Sequence, residues 1–191
     1  MTQPGIGHNQ GPSLEKGHRW RTYQWRKAQK ALMPNTIPLM IVKMRLRRAA
    51  ELGMSYKTYA SVRQSAGRDI LGLLFSSNAL RIIGNGAAMP VAERAALEAV
   101  RQAGKLSLVH APHSPVRVMQ ANPVLDAAEL APNFTESWSQ MRSRIETLIQ
   151  SRKLASDQVL IIGDTPLEAE WTAAARAGGY LRAEQYFTHQ G

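Results

Sequence analysis

The sequence predicts an α/β protein in which a parallel sheet is covered by helices on both faces and preceded by a basic helical N-terminal region. Three observations lead there. The runs "ILGLLFSS", "KLSLVHAP" and "QVLIIGD" are almost continuously apolar, as strands buried on both faces must be. Segments long enough for helices alternate with them, which is the order that crossover units require. The charge is also unevenly placed: residues 1–68 hold 13 Lys/Arg against Glu15 and Glu51, a balance of +11. Residues 69–191 hold 11 Lys/Arg against 12 acids, a balance of −1, so the whole surplus of +10 lies in the first third.

In chain order, the leader "MTQPGIGHNQGPSLEKG" has too few apolar groups to offset the entropy of ordering it, and residues 1–17 are expected to stay disordered. Its "PGIGHNQGP" resembles a leader found on phage- and plasmid-associated bacterial reading frames. "HRWRTYQWRKAQKAL" is rich in helix formers and interleaves Trp20, Tyr23 and Trp25 with Arg19, Arg21, Arg26 and Lys27. Such rings and cations either stack on bases and phosphates or form an amphipathic helix whose tryptophans dock on the main domain. Pro34 and Pro38 end that helix.

"LMIVKMRLRRAAELGMSYKTYASVRQSAGRD" predicts two helices joined at Gly53, the second capped by Ser55 and running from Tyr56 to about Ser65. Ala49, Leu52, Met54, Tyr59 and Val62 supply the apolar contacts. Over residues 45–66 the segment resembles the helix-turn-helix of bacterial DNA-binding proteins, which implies that Arg45, Arg47, Arg48, Lys57 and Arg63 meet phosphates or base edges. The competing reading is a helical hairpin that packs on the domain. Residues 18–68 are thus expected to form a basic helical region, and 69–191 the α/β domain.

In the α/β part, "ILGLLFSS" is the first strand. "PVAERAALEAVRQAG" is a helix opened by Pro90 and closed by Gly104, and "KLSLVHAP" is the second strand. A long loop carrying Pro112, Pro115, Pro123 and Pro132 follows. "NFTESWSQMRSRIETLIQSRKL" is a helix with Phe134, Trp138, Met141, Ile145 and Leu148 on one face. "QVLIIGD" is a third strand, "PLEAEWTAAARAGG" a helix and "YLRAEQYF" a last strand. In a parallel sheet, functional groups gather beyond the carboxyl ends of the strands. Those positions hold Ser76, Ser77 and Asn78, then His110 and His113, then Asp164, Thr165 and Glu168.

These strand ends carry a second resemblance. "LLFSSNALRIIGNGAAMPVAERAALEAVRQAGKLSLVHA" and "VLIIGDTPLEAEWTAAARAGGYL" are similar to motif regions of the haloacid dehalogenase superfamily of phosphohydrolases, across roughly residues 70–187. The resemblance implies a Rossmannoid fold, an aspartate nucleophile at position 76, an aspartate acid/base at 78, a hydroxyl near 110, and magnesium held at 164 and 168. The chain has Ser76, Asn78 and His110 in the first three places, and only Asp164 and Glu168 keep carboxylates. Lys153 is the sole candidate for the motif lysine. An aspartyl-phosphate cannot form on serine, and neither Ser77 nor Asn78 can take the Ser76 proton. Asp164 is a weak candidate metal ligand, since a hard divalent cation needs several anionic oxygens.

Other chemistries have less behind them. A triad of Ser76, His110 and Asp164 lacks the glycine-flanked nucleophile elbow. His110 and His113 stand among prolines without a third metal ligand. "GNGAAMP" lacks the lysine of a phosphate-cradling loop. The absence of cysteine excludes disulfides and thiolate chemistry. No apolar run has the roughly 18 residues a membrane span needs, and no signal peptide opens the chain, so a cytoplasmic protein without a membrane partner is expected. The sequence therefore predicts a non-catalytic nucleic-acid-binding or regulatory protein, with DNA or RNA contacting residues 18–68, a further protein partner allowed and no cofactor. Two alternatives remain: a divergent magnesium-dependent phosphohydrolase, and an assembly subunit of a phage-like or larger complex.

Overall fold

The structure is a computed structural model, and it describes Trp20 and residues 22–28, 37–84, 86–133 and 135–188. It divides into two compact units, Met1–Val42 and Lys43–Gly191. In the first unit, residues 22–28 are helical, which includes Arg26 and Lys27; Arg19, Arg21 and the 1–17 leader lie outside the described residues. Among the described residues no helix is long and apolar enough to cross a membrane.

The second unit is an α/β fold built on one five-stranded sheet, all parallel, in the order β3-β2-β1-β4-β5. Helices α1 (Leu39–Glu51) and α2 (Tyr56–Ala66) precede β1 (Gly72–Ser76); α3 (Val91–Ala99) leads to β2 (Gly104–Val109), and α4 (Pro115–Ala121) to β3 (Ala127–Leu130). Then α5 (Trp138–Ser151) and a 3-10 turn (Ser156–Gln158) lead to β4 (Val159–Gly163), α6 (Pro166–Ala175) to β5 (Gly179–Arg182), and α7 (Ala183–Phe187) closes the fold. Strand alternation separates two cores. Leu73, Phe75, Val109, Leu160, Ile162 and Leu181 share a face with buried residues of α2, α3, α4 and α7. Leu74, Leu106, Leu108, Val159 and Ile161 pack on the other face with Ile145 and Ile149 of α5 and Trp171 of α6.

The α1–α2 pair belongs to this unit from Lys43 onward, because Ala49, Leu52, Met54, Tyr59 and Val62 are all buried in the cluster that holds Leu73 and Phe75. Gly53 turns the chain with φ 69°, and the Ser55 hydroxyl accepts the Thr58 N–H at 3.1 Å to start α2. Gly67, at φ 71°, closes α2 in the left-handed region and donates its N–H to the Arg63 carbonyl.

The loop expected between residues 110 and 133 is ordered differently. Pro115 sits in the first turn of α4, where a missing N–H costs nothing, and the chain then adds β3 beside β2. Asn122 is fully buried at the end of α4; it accepts the Met89 N–H at 2.9 Å and donates to the carbonyls of Ala87 at 2.7 Å and Val118 at 2.8 Å. Gly104 does not close a helix: α3 stops at Ala99, and Gly104 opens β2 opposite Gly72. The last apolar run is half strand and half helix, with Ala183 and Tyr186 turned into the core three residues apart. Trp138 starts α5 and is 52% exposed, so the buried stripe of that helix begins at Met141; Phe134 lies outside the described residues.

Candidate functional site at the strand switch point

From β1 the chain builds outward through β2 and β3, then returns to the other side of β1 to lay down β4 and β5. The order reverses between β1 and β4, and the loops leaving those two strands diverge around a crevice. Five residues singled out in the sequence meet there: Ser76, Asn78, His110, Asp164 and Glu168.

Their centre is the Glu168 carboxylate, which has no exposed surface. Thr165 caps α6 and Glu168 is its N3 residue, so the carboxylate folds back onto the helix start, where its Oε2 accepts the N–H of Asp164 at 2.5 Å and of Thr165 at 3.0 Å. Its Oε1 accepts the Asn78 amide at 2.9 Å and pairs with His110 Nε2 at 2.8 Å. The Ser76 hydroxyl lies beside the same carboxylate and accepts the Ala79 N–H at 3.0 Å. Burial by itself would push this carboxyl up; the bonds from His110 and from the Asp164 and Thr165 N–H groups, with the nearby Ser76 hydroxyl, outweigh it and hold the pKa down at about 2. Gly163 makes room for the arrangement: a Cβ there would stand 2.8 Å from Glu168 Oε2 and 2.8 Å from the Tyr180 ring.

The flanks are equally engaged. Ser77 accepts the His110 N–H on its hydroxyl at 3.0 Å, and the His110 ring stacks on buried Trp171 with centroids 5.5 Å apart. A tight turn after β1 brings Arg81, at φ 53°, into a 2.9 Å ion pair with Asp164 across the crevice. Tyr180 donates its hydroxyl to the Thr165 carbonyl at 3.1 Å; burial and the nearby Glu168 charge push its phenol up. Arg81, Trp171 and Tyr180 are contributors that sequence reasoning did not name. Glu168 and Trp171, three apart on a helix, were the available signal for the second. Lys153 is not in the crevice: it follows α5 just ahead of β4, at the amino ends of the strands. His113 meets the cluster through its backbone, where its N–H donates to the His110 carbonyl at 3.1 Å, and no side-chain bond from it to the cluster is present among the described residues.

The chemistry open to this cluster is narrow. Ser76 has no exposed surface and its hydroxyl accepts the Ala79 N–H, while His110 Nε2 pairs with Glu168 and Asp164 with Arg81, so Ser76, His110 and Asp164 do not form a relay. Among the described residues no three of His, Cys, Asp and Glu are grouped to hold a metal ion.

The basic residues of the α1–α2 pair divide into two sets. Arg48 donates to the carbonyls of Ile70 at 2.6 Å and Gln102 at 3.2 Å, and pairs with Glu51 at 3.1 Å and Asp69 at 3.3 Å. Arg63 also pairs with Asp69, at 3.5 Å, where Tyr59 donates its hydroxyl at 2.8 Å. Arg47 is 80% exposed and pairs with Glu51, whereas Arg45 and Lys57 have no ionic partner among the described residues.

Compared with protein-family models, with curated proteins and with solved structures, the chain matches none.

Proposed function

We propose that the chain is a non-catalytic nucleic-acid-binding or regulatory protein, in which a basic helical N-terminal region meets the polyanion and a degenerate phosphatase-like α/β domain carries it. The observation behind the nucleic-acid part is the surplus of +11 in residues 1–68 beside a remainder of −1. The non-catalytic part is supported by a crevice whose polar groups bond one another. The donor set does not fit magnesium: Asp164 is neutralised by Arg81, both oxygens of Glu168 already accept hydrogen bonds, and Ser76 and Asn78 bring no charge. On this reading the motif positions of a haloacid dehalogenase-like scaffold hold a structural knot.

Binding of a generic duplex and of a structured RNA, measured across a salt series, tests the first part. Replacing Arg45, Arg47 and Lys57 together with alanine should flatten the log–log slope by up to about 3, near 0.9 for each phosphate that is no longer neutralised. Arg48 and Arg63 are left intact because they hold the fold. Binding that ignores salt, or none at low salt, refutes the nucleic-acid reading. Turnover of a chromogenic phosphate ester that vanishes in Asp164→Asn refutes the non-catalytic one.

A further inference from the structure

The first turns of α1 are apolar, and no part of the described chain covers them. The Pro38 carbonyl starts the helix by accepting the Ile41 N–H at 2.8 Å and the Val42 N–H at 3.1 Å. Leu39, Met40 and Met44 are then 69%, 75% and 66% exposed, and Ile41 is exposed beside them. Ala49 is the one residue of α1 that is fully buried. Large aliphatic side chains grouped in this way mark a surface that is covered in use.

Cations follow at once. At 100° per residue, Lys43 and Arg47 stand about 40° apart on one side of the helix and Arg45 about 160° from each of them, so the three form a collar around the axis. Lys43 and Arg45 have no ionic partner among the described residues, and Arg47 is 80% exposed beside Glu51. Between Glu15 and Glu51 the sequence holds ten Lys/Arg and no acid.

This combination selects the covering surface. A second copy would bring two cationic collars together with no acid to answer them. Nucleic acid suits the collar, but its bases stack on aromatic rings and would leave the aliphatic turn in water. An anionic bilayer surface takes both, with aliphatic groups below its phosphates and cations among them. The distances agree: at 1.5 Å per residue, Lys43 lies about 6 Å and Arg47 about 12 Å along the axis from Leu39. Interfacial helices bury their apolar groups about 5–10 Å into the headgroup boundary, so the collar reaches the phosphates when the apolar turn is at depth. Ester and phosphate oxygens at that level also meet the unpaired N–H groups of the helix start.

We propose that the start of α1 docks on an anionic lipid surface, with Leu39, Met40 and Met44 in the headgroup boundary and Lys43, Arg45 and Arg47 on the lipid phosphates. A helix seated in a bilayer surface needs no spanning run, so the expectation of no membrane partner, which rests on spans and signal segments, does not reach it. The inference stands apart from the nucleic-acid reading: the aliphatic turn has no part in that reading, and Lys57 has none in this one.

The test sediments the full chain with sucrose-loaded vesicles, of phosphatidylcholine alone or with phosphatidylserine in a three-to-one ratio, and titrates a duplex in parallel. Binding to the anionic vesicles and little to the neutral ones is expected. Leu39→Gln, Met40→Gln and Met44→Gln together keep every charge at exposed positions; they should cut vesicle binding about tenfold or more and leave duplex binding unchanged. Arg45→Ala with Arg47→Ala should cut vesicle binding about fivefold per cation. Circular dichroism shows whether the variants keep the fold. No binding to anionic vesicles at low salt overturns the proposal, as does binding that the triple glutamine variant retains, because charge alone would then account for it. A dimer that the triple variant converts to a monomer also overturns it, and assigns the apolar turn to a second copy. Vesicle binding lost in the triple variant, with no duplex binding by the native chain, upholds this inference and refutes the nucleic-acid reading.

Discussion

Replacing Glu168 by glutamine tests the account of the switch point most directly, because that account gives the buried carboxylate a stability role with a defined pH window. Its pKa is 4.5 for the free side chain and about 2 in the fold, so the unfolded chain binds the proton more readily. The folded state therefore gains its full advantage above pH 4.5 and loses it as the pH falls towards 2. Separation of the two values by some 2.5 units corresponds to roughly 3 kcal/mol, at 1.36 kcal/mol per unit. In Glu168→Gln one carboxylate oxygen becomes an NH2, which cannot accept from both the Asp164 and Thr165 N–H groups while serving Asn78 and His110. Urea unfolding should show the variant less stable at pH 7 by about 2–4 kcal/mol, with the gap narrowing as the pH falls below 4.5. Subtracting the variant's profile from the native one removes the other carboxylates, which titrate in both. If the two profiles stay parallel between pH 5 and pH 2.5, the carboxylate is not held as described and the reasoning fails.

Two further substitutions probe how the surroundings are fixed. Gly163→Ala places a methyl 2.8 Å from a carboxylate that four donors prevent from retreating, and should lower stability by about 1–3 kcal/mol in the same assay. Asn122→Ala leaves the Met89 N–H without its acceptor and frees two carbonyls; a loss of about 3 kcal/mol is expected, with faster hydrogen exchange at Met89 than at Leu74. Unchanged exchange at Met89 would show that Asn122 does not clamp the segment before α3.

What could be read from the sequence follows from how each element is buried. β1 and β4 are buried at every residue, and such strands appear as unbroken apolar runs whose polar stop marks the carboxyl edge. Ser76, Asn78, His110, Asp164 and Glu168 could be placed together for that reason alone. β3 gave no such signal: "AAEL" is four residues at the sheet edge, none fully buried, and its neighbours are prolines that suggest a loop. α4 was hidden the same way, although Pro115 belongs to a helix start. The switch to helix at Ala183 depends on Tyr186 reaching the core, where its ring meets Phe75 edge-on at 5.4 Å and its hydroxyl donates to the Leu52 carbonyl at 3.0 Å. Both contacts are long-range, and no local pattern contains them.

Arg48 shows why charge counted along a chain overstates the charge offered to a partner. The sequence ranks it with Arg47, its neighbour, as a phosphate contact. On a helix, consecutive residues point about 100° apart, so only one of the two can face the domain. Arg48 does: it ties α1 to the loop before β1 and to the turn before β2, and its charge is answered by Glu51 and Asp69. Asp69 also takes Arg63, so two acids neutralise much of what the region gains from its two inward arginines. At the other end of the sheet Arg81 does the same to Asp164. The fold thus answers charge internally at both sheet ends. On α1 and α2 the cations without an ionic partner among the described residues are Lys43, Arg45 and Lys57, beside the exposed Arg47, and the polyanion contact proposed above draws on these.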